Sequence, residues 1–369
     1  MTKRSREFAE NPYSDVRSSE FARNPYAYYR RLRDRGGIHF LPEENAWLVV
    51  GYELASWVFR QPSIFSSSPF AVQSPSLHGA DPPEHTLMRR LLAPYFTPER
   101  QYAQRASVER HVSRTMARLE TLTVFDAVTD LATPIPFSVA CEWLGLREDV
   151  ATTLHHRPIP DVSWDEIKPA LLSNGVIPEL ARDPNLTEAQ LAEFASFFLA
   201  ASNGTSRDLL LLGLSVLIDR PDVVARVTAD MSLLPALVEE LLRLEPAAHT
   251  LLRRTRTEVV LDGKTVPEGS LIWVSIGAAN RDPEAFPDPD QLRLDRSTSR
   301  HLAFGVGPHF CLGSPLGRMQ SQLILARLLP EMHRIRSAGP MEIGFWDDFP
   351  GGAPIFRVIR SWPLKFVPY

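Results

Sequence analysis

The chain has 369 residues, a net charge of −4, and ordinary globular proportions of hydrophobic (44%) and charged (23%) residues. This balance excludes the bulk basic character of a nucleic-acid-binding protein. The two cysteines, Cys141 and Cys311, are too few for a disulfide framework, and no uninterrupted apolar stretch has the length of a membrane span. Residues 1–12 are polar and charged, so we expect them to be frayed and expect no signal peptide.

Hydrophobic periodicity predicts short helices and strands along the first part of the chain. Helices are predicted at 25–33, 54–60, 98–119 and 127–144, and strands at 38–41 and 46–50. A segment rich in serine and proline, 63–80, is predicted to be a loop. Two prolines then open a helix that carries His85 and Arg89 four residues apart, on one face. Cys141 lies in a helical pattern, and we expect it to pack in the core.

A long helix is predicted in the middle of the chain. Thr187 and Gln190 have the spacing of a capping box, and the pattern continues to about residue 219, just before Pro221. The predicted helix is about 50 Å long at 1.5 Å per residue. It is apolar on nearly every side, which predicts a buried central helix. Its polar residues cluster in one place, at 202–208.

The second half of the chain contains further helices and several short strands. Glu240 and Arg243 stand three residues apart, so their side chains meet on one helix face. Strands at 259–261 and 271–275 are predicted to pair through a tight turn, and 354–366 is predicted to form a β-hairpin that closes a pocket.

One cysteine, Cys311, ends a glycine-rich loop and directly precedes a helical pattern at 312–329. A thiolate at a helix N-terminus is favoured by free backbone N–H groups and by the helix dipole. Gly305 and Gly307 allow positive φ angles and a close approach to a flat partner, and Gly313 leaves space beside the sulfur. The loop therefore suits a thiolate that ligates a metal inside a planar ring. The alternative from the residues alone is a buried free cysteine beside a turn.

The spacing Phe-x-x-Gly-x-x-x-Cys-x-Gly falls on Phe304, Gly307, Cys311 and Gly313. It resembles the haem-binding signature of the cytochrome P450 family. The resemblance extends over about 20–366 and implies a single domain, 1–369, that is mainly α-helical with a small β region. It implies haem b between the central helix and the cysteine loop, with Cys311 as the metal ligand and Phe304 packed near the sulfur. Thiolate ligation favours cleavage of the O–O bond.

The resemblance also implies a set of cofactor-binding residues: His85, Arg89, Arg253, Phe304, Gly305, His309, Cys311 and Gly313. His85 and Arg89 match the family pair that binds one haem propionate. Arg253, with Arg254 as the neighbouring alternative, matches the arginine of the second propionate, and His309 matches a further propionate ligand. A buried carboxylate needs such partners because an unpaired buried charge is costly.

Glu240 and Arg243 match the structural salt bridge that buttresses the cysteine loop in the family. The chain has Gln291-Leu292 where many members have Arg-Phe, so the arginine that joins this salt bridge in those members is replaced, and that part of the salt-bridge network is in doubt.

The middle of the central helix departs from the family pattern Ala/Gly-Gly-x-acid-Thr. The matching residues run from Ala201 to Thr205, and Gly204 replaces the acid. The acid and the alcohol of the pattern organise water and deliver protons, a general-acid task. Asp208 lies one turn after Gly204, on the same face, and is a candidate substitute. The alternatives are that Asp208 only pairs with a nearby arginine, which the sequence favours slightly, or that proton delivery is less needed.

Residues 146–186 give only 41 residues, broken by five prolines, where the family has a lid over the substrate pocket. This length predicts a reduced lid and a bulky substrate, or one delivered on another protein. The alternative is a compact lid that closes equally well over a small molecule. The predicted pocket residues are Ala201, Ala248, His249 and Leu251, although a core histidine is the default interpretation of His249.

These features predict a haem-thiolate monooxygenase or oxidase of the soluble bacterial type, working in the cytoplasm in specialised-metabolite (antibiotic) biosynthesis. It would take electrons from a ferredoxin and its reductase, with Arg90 and Arg318 as candidate docking residues. It would bind a small-molecule or carrier-bound substrate, and no nucleic acid or membrane. The alternatives are a peroxide-driven or redox-neutral haem-thiolate enzyme and a haem-containing recruitment protein without turnover.

Overall fold

A computed structural model describes residues 18–71, 77–147, 150–151, 164–170, 175–296, 300–346 and 352–367. This part of the chain is mainly helical. Its α-helices are α1 (Ser19–Arg23), α2 (Tyr26–Arg33), α3 (Tyr52–Arg60), α4 (Glu84–Leu92), α5 (Pro98–Tyr102), α6 (Arg105–Leu119), α7 (Pro134–Leu144), α8 (Trp164–Ile167), α9 (Val176–Leu180), α10 (Glu188–Ile218), α11 (Pro221–Ala229), α12 (Leu234–Leu244), α13 (Ile276–Ala279) and α14 (Ser314–Leu328).

The β region is small and, within the described residues, forms four separate sheets. Its strands are β1 (Ile38–Leu41), β2 (Ala46–Val49), β3 (Phe65–Ser66), β4 (Phe125–Asp126), β5 (Thr250–Thr255), β6 (Val259–Leu261), β7 (Lys264–Val266), β8 (Leu271–Ser275), β9 (Ile335–Ser337), β10 (Glu342–Phe345), β11 (Arg357–Ser361) and β12 (Pro363–Phe366). The main sheet has the order β1-β2-β8-β5-β3, and only β2 and β8 run parallel in it.

Most predicted elements are confirmed, with boundaries that differ by one or two residues. The helix predicted at 98–119 is interrupted between α5 and α6, where residues 103 and 104 form a turn. The helix predicted at 127–144 begins as a π-helical segment, Ala127–Ala132, and α7 starts afresh with Pro134 at its first position. Proline is tolerated there because the first N–H of a helix has no intrahelical partner.

Two predicted strand pairings are wrong. β6 pairs with β7 across a two-residue turn, whereas β8 joins the main sheet between β2 and β5. The C-terminal strands do not form a hairpin with each other, because β11 pairs with β10 and β12 pairs with β4 and β9. β8 pairs with β2, and β12 with β4, across distant parts of the chain, so local sequence carried no signal for these two pairings.

The central helix, α10, is confirmed as the longest of the described helices, with 31 residues and a length of about 46 Å. Its capping box is complete, since Thr187 accepts from the backbone N–H of Gln190 and the side chain of Gln190 accepts from that of Thr187. Gly213 lets α12 approach closely, because an added Cβ would lie 3.1 Å from Leu241 Cδ1. Around α10 a large apolar core includes the fully buried Cys141, as predicted.

Parts of the predicted lid, and residues 1–12, lie outside the described residues. Within 146–186 the structure describes two short helices, α8 with four residues and α9 with five. None of the described helices combines the length and the apolar character that crossing a bilayer requires.

The ion pair between Glu240 and Arg243 is confirmed, and it is buried. Arg243 donates Nε to Glu240 Oε1 at 2.7 Å and Nη2 to Oε2 at 2.9 Å, and it also donates to the main-chain oxygen of Gln291. The part of the network that the sequence put in doubt is supplied by Arg296, whose Nε lies 3.1 Å from Glu240 Oε2. A buried charge pair is costly to break, so this network is suited to holding the segment behind the cysteine loop.

That network reaches the loop through Asn280. Its main-chain oxygen accepts from Arg243 Nη1 at 3.1 Å, and its side-chain Oδ1 accepts from the N–H of Leu302 at 2.7 Å. Leu302 begins the approach to Phe304, so the ion network fixes the start of the cysteine loop.

Candidate active site

A hydrogen bond joins the two ends of the cysteine loop. Cys311 donates its N–H to the carbonyl oxygen of Phe304 at 2.9 Å, which closes the loop on itself. Gly305 and Gly307 have φ angles of +68° and +80°, in the left-handed region that favours glycine. At Gly307 a Cβ would also lie 2.7 Å from the carbonyl oxygen of Phe59, so this residue must be glycine on two grounds.

The sulfur of Cys311 lies just before α14, whose N-cap is Gly313. Burial raises the pKa of the Cys311 thiol, whereas the N–H of Gly313 and the guanidinium groups of Arg89 and Arg318 act in the opposite direction. The protein thus provides a backbone donor and two cations that favour the thiolate. A cation bound to the sulfur would add the missing stabilisation, since a coordinating thiol is deprotonated outright.

A group of basic side chains converges beside the loop. The rings of His85 and His309 stack with centroids 3.8 Å apart, and Ser67 Oγ lies 3.0 Å from His309 Nε2. The guanidinium carbon of Arg253 lies 5.1 Å from the ring centroid of Phe59, and Arg253 Nη1 donates to the carbonyl of Leu252 at 2.7 Å. Three sequence-predicted residues are therefore brought together, and all three are at least half-buried.

The electrostatics of this basic group favour an anion beside it. Burial lowers the pKa of His85 to about 4, that of His309 to about 2 and that of Arg253 to about 10, and the neighbouring cations add to the effect at the two histidines. Asp81 is the carboxylate that acts on this group, and it already accepts from Ser66, Ser67 and Arg256. No other described carboxylate pairs with Arg253 or with Arg89.

This donor set fits the group that the resemblance implied. Two propionates carry two negative charges at one edge of a haem, and buried cations beside a cysteine loop are complementary to them. Of the two neighbouring arginines, Arg253 is the buried one, with 4% of its surface exposed. Arg254 is exposed, and its Nη1 donates to the carbonyl of Gly269.

There is open space on α10 at Gly204, the residue that replaces the acid of the family pattern. A Cβ built on Gly204 would meet no atom within 4 Å. The hydroxyl of Thr205 donates to the carbonyl of Ala201 at 2.7 Å, which leaves its oxygen lone pairs available to a water molecule. The helix therefore has a small gap with a hydroxyl beside it where the acid is missing.

Asp208 lies one turn further along α10 and is 2% exposed. Arg207 binds it in a bidentate manner, with Nε–Oδ1 at 2.8 Å and Nη2–Oδ2 at 3.1 Å. Burial raises the pKa of Asp208 to about 6, although Arg207 acts in the opposite direction. The pairing with a nearby arginine is thus present, and the same carboxyl titrates close to neutral pH.

The predicted pocket residues separate into two groups. Ala201 on α10, Ala248 and Leu251 are partly exposed. His249 is fully buried, and its ring stacks on Tyr29 at 5.6 Å with Nε2 3.1 Å from the Tyr29 hydroxyl. We therefore assign His249 to the core of the β region rather than to the pocket. Successive side chains of an extended segment point to opposite sides, so the side chain of His249 is separated from those of its chain neighbours.

One residue beside the site was missed from the sequence. The ring of His78 stacks on Phe70 at 4.3 Å and lies 5.4 Å from the ring of Phe197, one turn before Ala201 on α10. Burial lowers the pKa of His78 to about 4, with contributions from Arg253 and His85. His78 thus links the basic group to an aromatic wall along α10. Its position in a loop rich in proline and serine gave no periodic signal.

Comparisons with known proteins agree with this geometry. A sequence profile described as Cytochrome P450 matches residues 171–333. The cytochrome P450 monooxygenase PikC of Streptomyces venezuelae is 30% identical over 92% of this chain and 90% of its own length. The 6-deoxyerythronolide B hydroxylase of Saccharopolyspora erythraea is 30% identical over 77% of this chain and 82% of its own length.

A solved structure has the same fold. P450BioI, in complex with an acyl carrier protein carrying hexadec-9Z-enoic acid, superimposes with a TM-score of 0.80 at 23% identity, over 95% of this chain and 100% of P450BioI. The thiolate loop, the basic group beside it and the similarity along most of the chain lead to one conclusion: this protein belongs to the cytochrome P450 family.

Proposed function

We propose that this P450 is a haem-thiolate monooxygenase or oxidase that acts on a bulky or carrier-bound organic substrate in specialised-metabolite biosynthesis. It works in the cytoplasm as one domain and takes electrons from a ferredoxin and its reductase. The observation that carries the proposal is the arrangement of Cys311 at the N-terminus of α14 beside buried basic side chains, of which Arg253 forms no ion pair with a carboxylate of the described residues.

The cofactor would be haem b, and Cys311 would be the residue that ligates its iron. Arg253 and His309 would bind one propionate, and His85 with Arg89 would bind the other. Gly305 and Gly307 would let the loop approach the haem closely. With a thiolate ligand, haem supplies dioxygen activation and O–O bond cleavage when two electrons are provided. The protein contributes orientation, charge and control of water.

The Thr205 hydroxyl and the open space at Gly204 would hold water beside α10. Asp208 lies about 6 Å along the helix axis from Gly204, so it acts through water rather than by direct contact. Its pKa of about 6 lets it release and regain a proton near neutral pH. Arg207 keeps the carboxylate oriented. If the pair is only structural, removing the Asp208 charge will leave proton delivery unchanged.

Two observations support a large or tethered substrate. The family's lid region spans 41 residues in this chain, and the helices described within it are short. The carrier-protein complex of P450BioI is an example of tethered delivery on this fold. In the aromatic wall formed by Phe70, His78 and Phe197, the partly exposed rings of His78 and Phe197 would offer stacking and apolar surface to such a substrate.

A second candidate is a peroxide-driven enzyme, and the missing acid at Gly204 favours it. Peroxide carries its own protons and electrons, so that route depends less on a positioned acid. A binding protein without turnover is disfavoured because the relatives are named as monooxygenases or hydroxylases.

The proposed function predicts which electron donors let the purified holoenzyme form product. It also predicts that attaching a substrate to a carrier protein tightens its binding. We expect product with NADPH, ferredoxin reductase and ferredoxin, and at least tenfold tighter binding of a hexadecenoyl chain on an acyl carrier protein than of the free acid. Binding is measured from the haem absorption shift and product by mass spectrometry. Product with hydrogen peroxide alone would favour the second candidate, and equal affinity for the two probes would reject carrier delivery.

Substitution of the buried arginine predicts weaker cofactor binding. We expect Arg253→Met to increase the rate of haem transfer to apomyoglobin by at least tenfold, because a propionate loses its cationic partner. Arg254→Met is the matched control, since Arg254 is exposed on the same strand, and its rate should stay within about twofold of wild type. Equal effects of the two substitutions would contradict the assignment.

The raised pKa of Asp208 predicts a pH dependence of stability. Between pH 5 and 7 the folded protein binds a proton at Asp208 that the unfolded chain has already released, so this group's contribution to stability falls as pH rises through about 6. Relative to Asp208→Asn, wild type should lose about 1 kcal/mol of unfolding free energy across that range. Urea unfolding at both pH values measures it, and a constant difference would contradict the raised pKa.

A further inference from the structure

Three charged or titratable side chains form a linked group behind the cysteine loop. Arg318 on α14 binds Glu239 on α12 in a bidentate manner, with Nε–Oε1 at 2.6 Å and Nη2–Oε2 at 3.1 Å. His301, which precedes the loop, places Nε2 3.1 Å from Glu239 Oε2. The group joins both helices to the loop, and its Arg318 is one of the two cations that favour the Cys311 thiolate.

The hydrogen bonds fix the histidine tautomer. The N–H of Ala303 donates to His301 Nδ1 at 3.3 Å, so that nitrogen is the acceptor. Nε2 therefore carries the hydrogen and donates it to Glu239. His301 is a neutral anchor that holds the carboxylate of Glu239 in place, and its side chain is only 3% exposed.

Glu239 in turn determines where the charge of Arg318 lies. The guanidinium carbon of Arg318 lies 4.5 Å from the ring centroid of Phe304. Gly317 borders the same ring, since a Cβ built there would lie 3.6 Å from Phe304 Cε1, an ordinary van der Waals contact. The carbonyl of Phe304 is the acceptor of the Cys311 N–H. The cation is thus held on the residue that closes the cysteine loop.

A fixed cation at this position acts on the sulfur through space. Its field favours negative charge on Cys311, in agreement with its effect on that thiol's pKa. The interaction passes through a partly buried region, where solvent screens it less than at the surface, because the Arg318 side chain is 29% exposed. The same field draws electron density back toward the sulfur and away from anything that the sulfur ligates.

We propose that the ion pair of Arg318 and Glu239, oriented by His301, sets how strongly the Cys311 thiolate donates to the haem iron. It thereby sets the balance between the ferric and ferrous enzyme. These three are positioning residues, because they act on the cofactor through Cys311 and Phe304. The inference rests on the proposed function, since it requires haem on Cys311.

The charge signs give a test that a structural role would not reproduce. In Arg318→Gln the cation is lost while the negative charge of Glu239 remains, so the ferric form should be favoured about tenfold, or about 59 mV for one electron. In Glu239→Gln the negative charge is lost and the amide still accepts from His301, so the shift should be smaller and opposite. The double variant should return toward wild type.

The measurement is a redox titration of each holoenzyme, followed by its absorption spectrum. Arg327→Gln is the matched control, because Arg327 lies on the same helix and pairs with Glu120 and Glu331 instead. Its midpoint should equal that of wild type. Shifts of the same sign in the two single variants, or no shift in either, would overturn the proposal.

A conservative substitution covers the case in which a variant fails to retain haem. Arg318→Lys keeps the charge without the bidentate contact, and its ferric-to-ferrous ratio should stay within about threefold of wild type. If Arg318→Gln loses haem, the other two variants test the proposal. It is supported when the midpoint of Glu239→Gln shifts in favour of the ferrous form and that of Arg318→Lys equals wild type within this limit. Any other result rejects it. Absence of a thiolate spectrum in the wild-type holoenzyme would instead reject the proposed function.

Discussion

The closure of one short loop is the constraint on which the rest of the structure depends. The hydrogen bond from Cys311 to Phe304 can form only because Gly305 and Gly307 adopt positive φ angles. It places one sulfur at the start of α14, among backbone and side-chain groups that favour its thiolate. The buried ion network behind the loop, which reaches it through Asn280, makes this geometry rigid.

The charges around the loop are arranged on two sides with different purposes. On one side Arg253 and the stacked histidines form a buried basic group that is complementary to an anion. On the other side Arg318 already has its carboxylate, Glu239, so that cation is available for tuning rather than for binding. An unpaired buried charge marks a ligand site, whereas a paired one marks a structural or electrostatic role.

The sequence was sufficient for the features that local spacing encodes. The cysteine loop, the capping box of α10 and the pair of Glu240 and Arg243 were all identified from residues a few positions apart. The sequence failed where distant segments decide. The partners of β8 and β12, the burial of His249 and the contact of His78 with Phe197 all come from tertiary packing. Local periodicity has no access to these contacts.

The central claim, ligation of haem iron by Cys311, is tested most directly by the spectrum of the reduced, carbon-monoxide-treated holoenzyme. The account predicts the red-shifted Soret band of a thiolate complex in wild type. It also predicts the loss of that band in Cys311→Ala, while Cys141→Ala, the other cysteine, retains it. A wild-type spectrum without the red shift, or a Cys311→Ala spectrum identical to that of wild type, would contradict it.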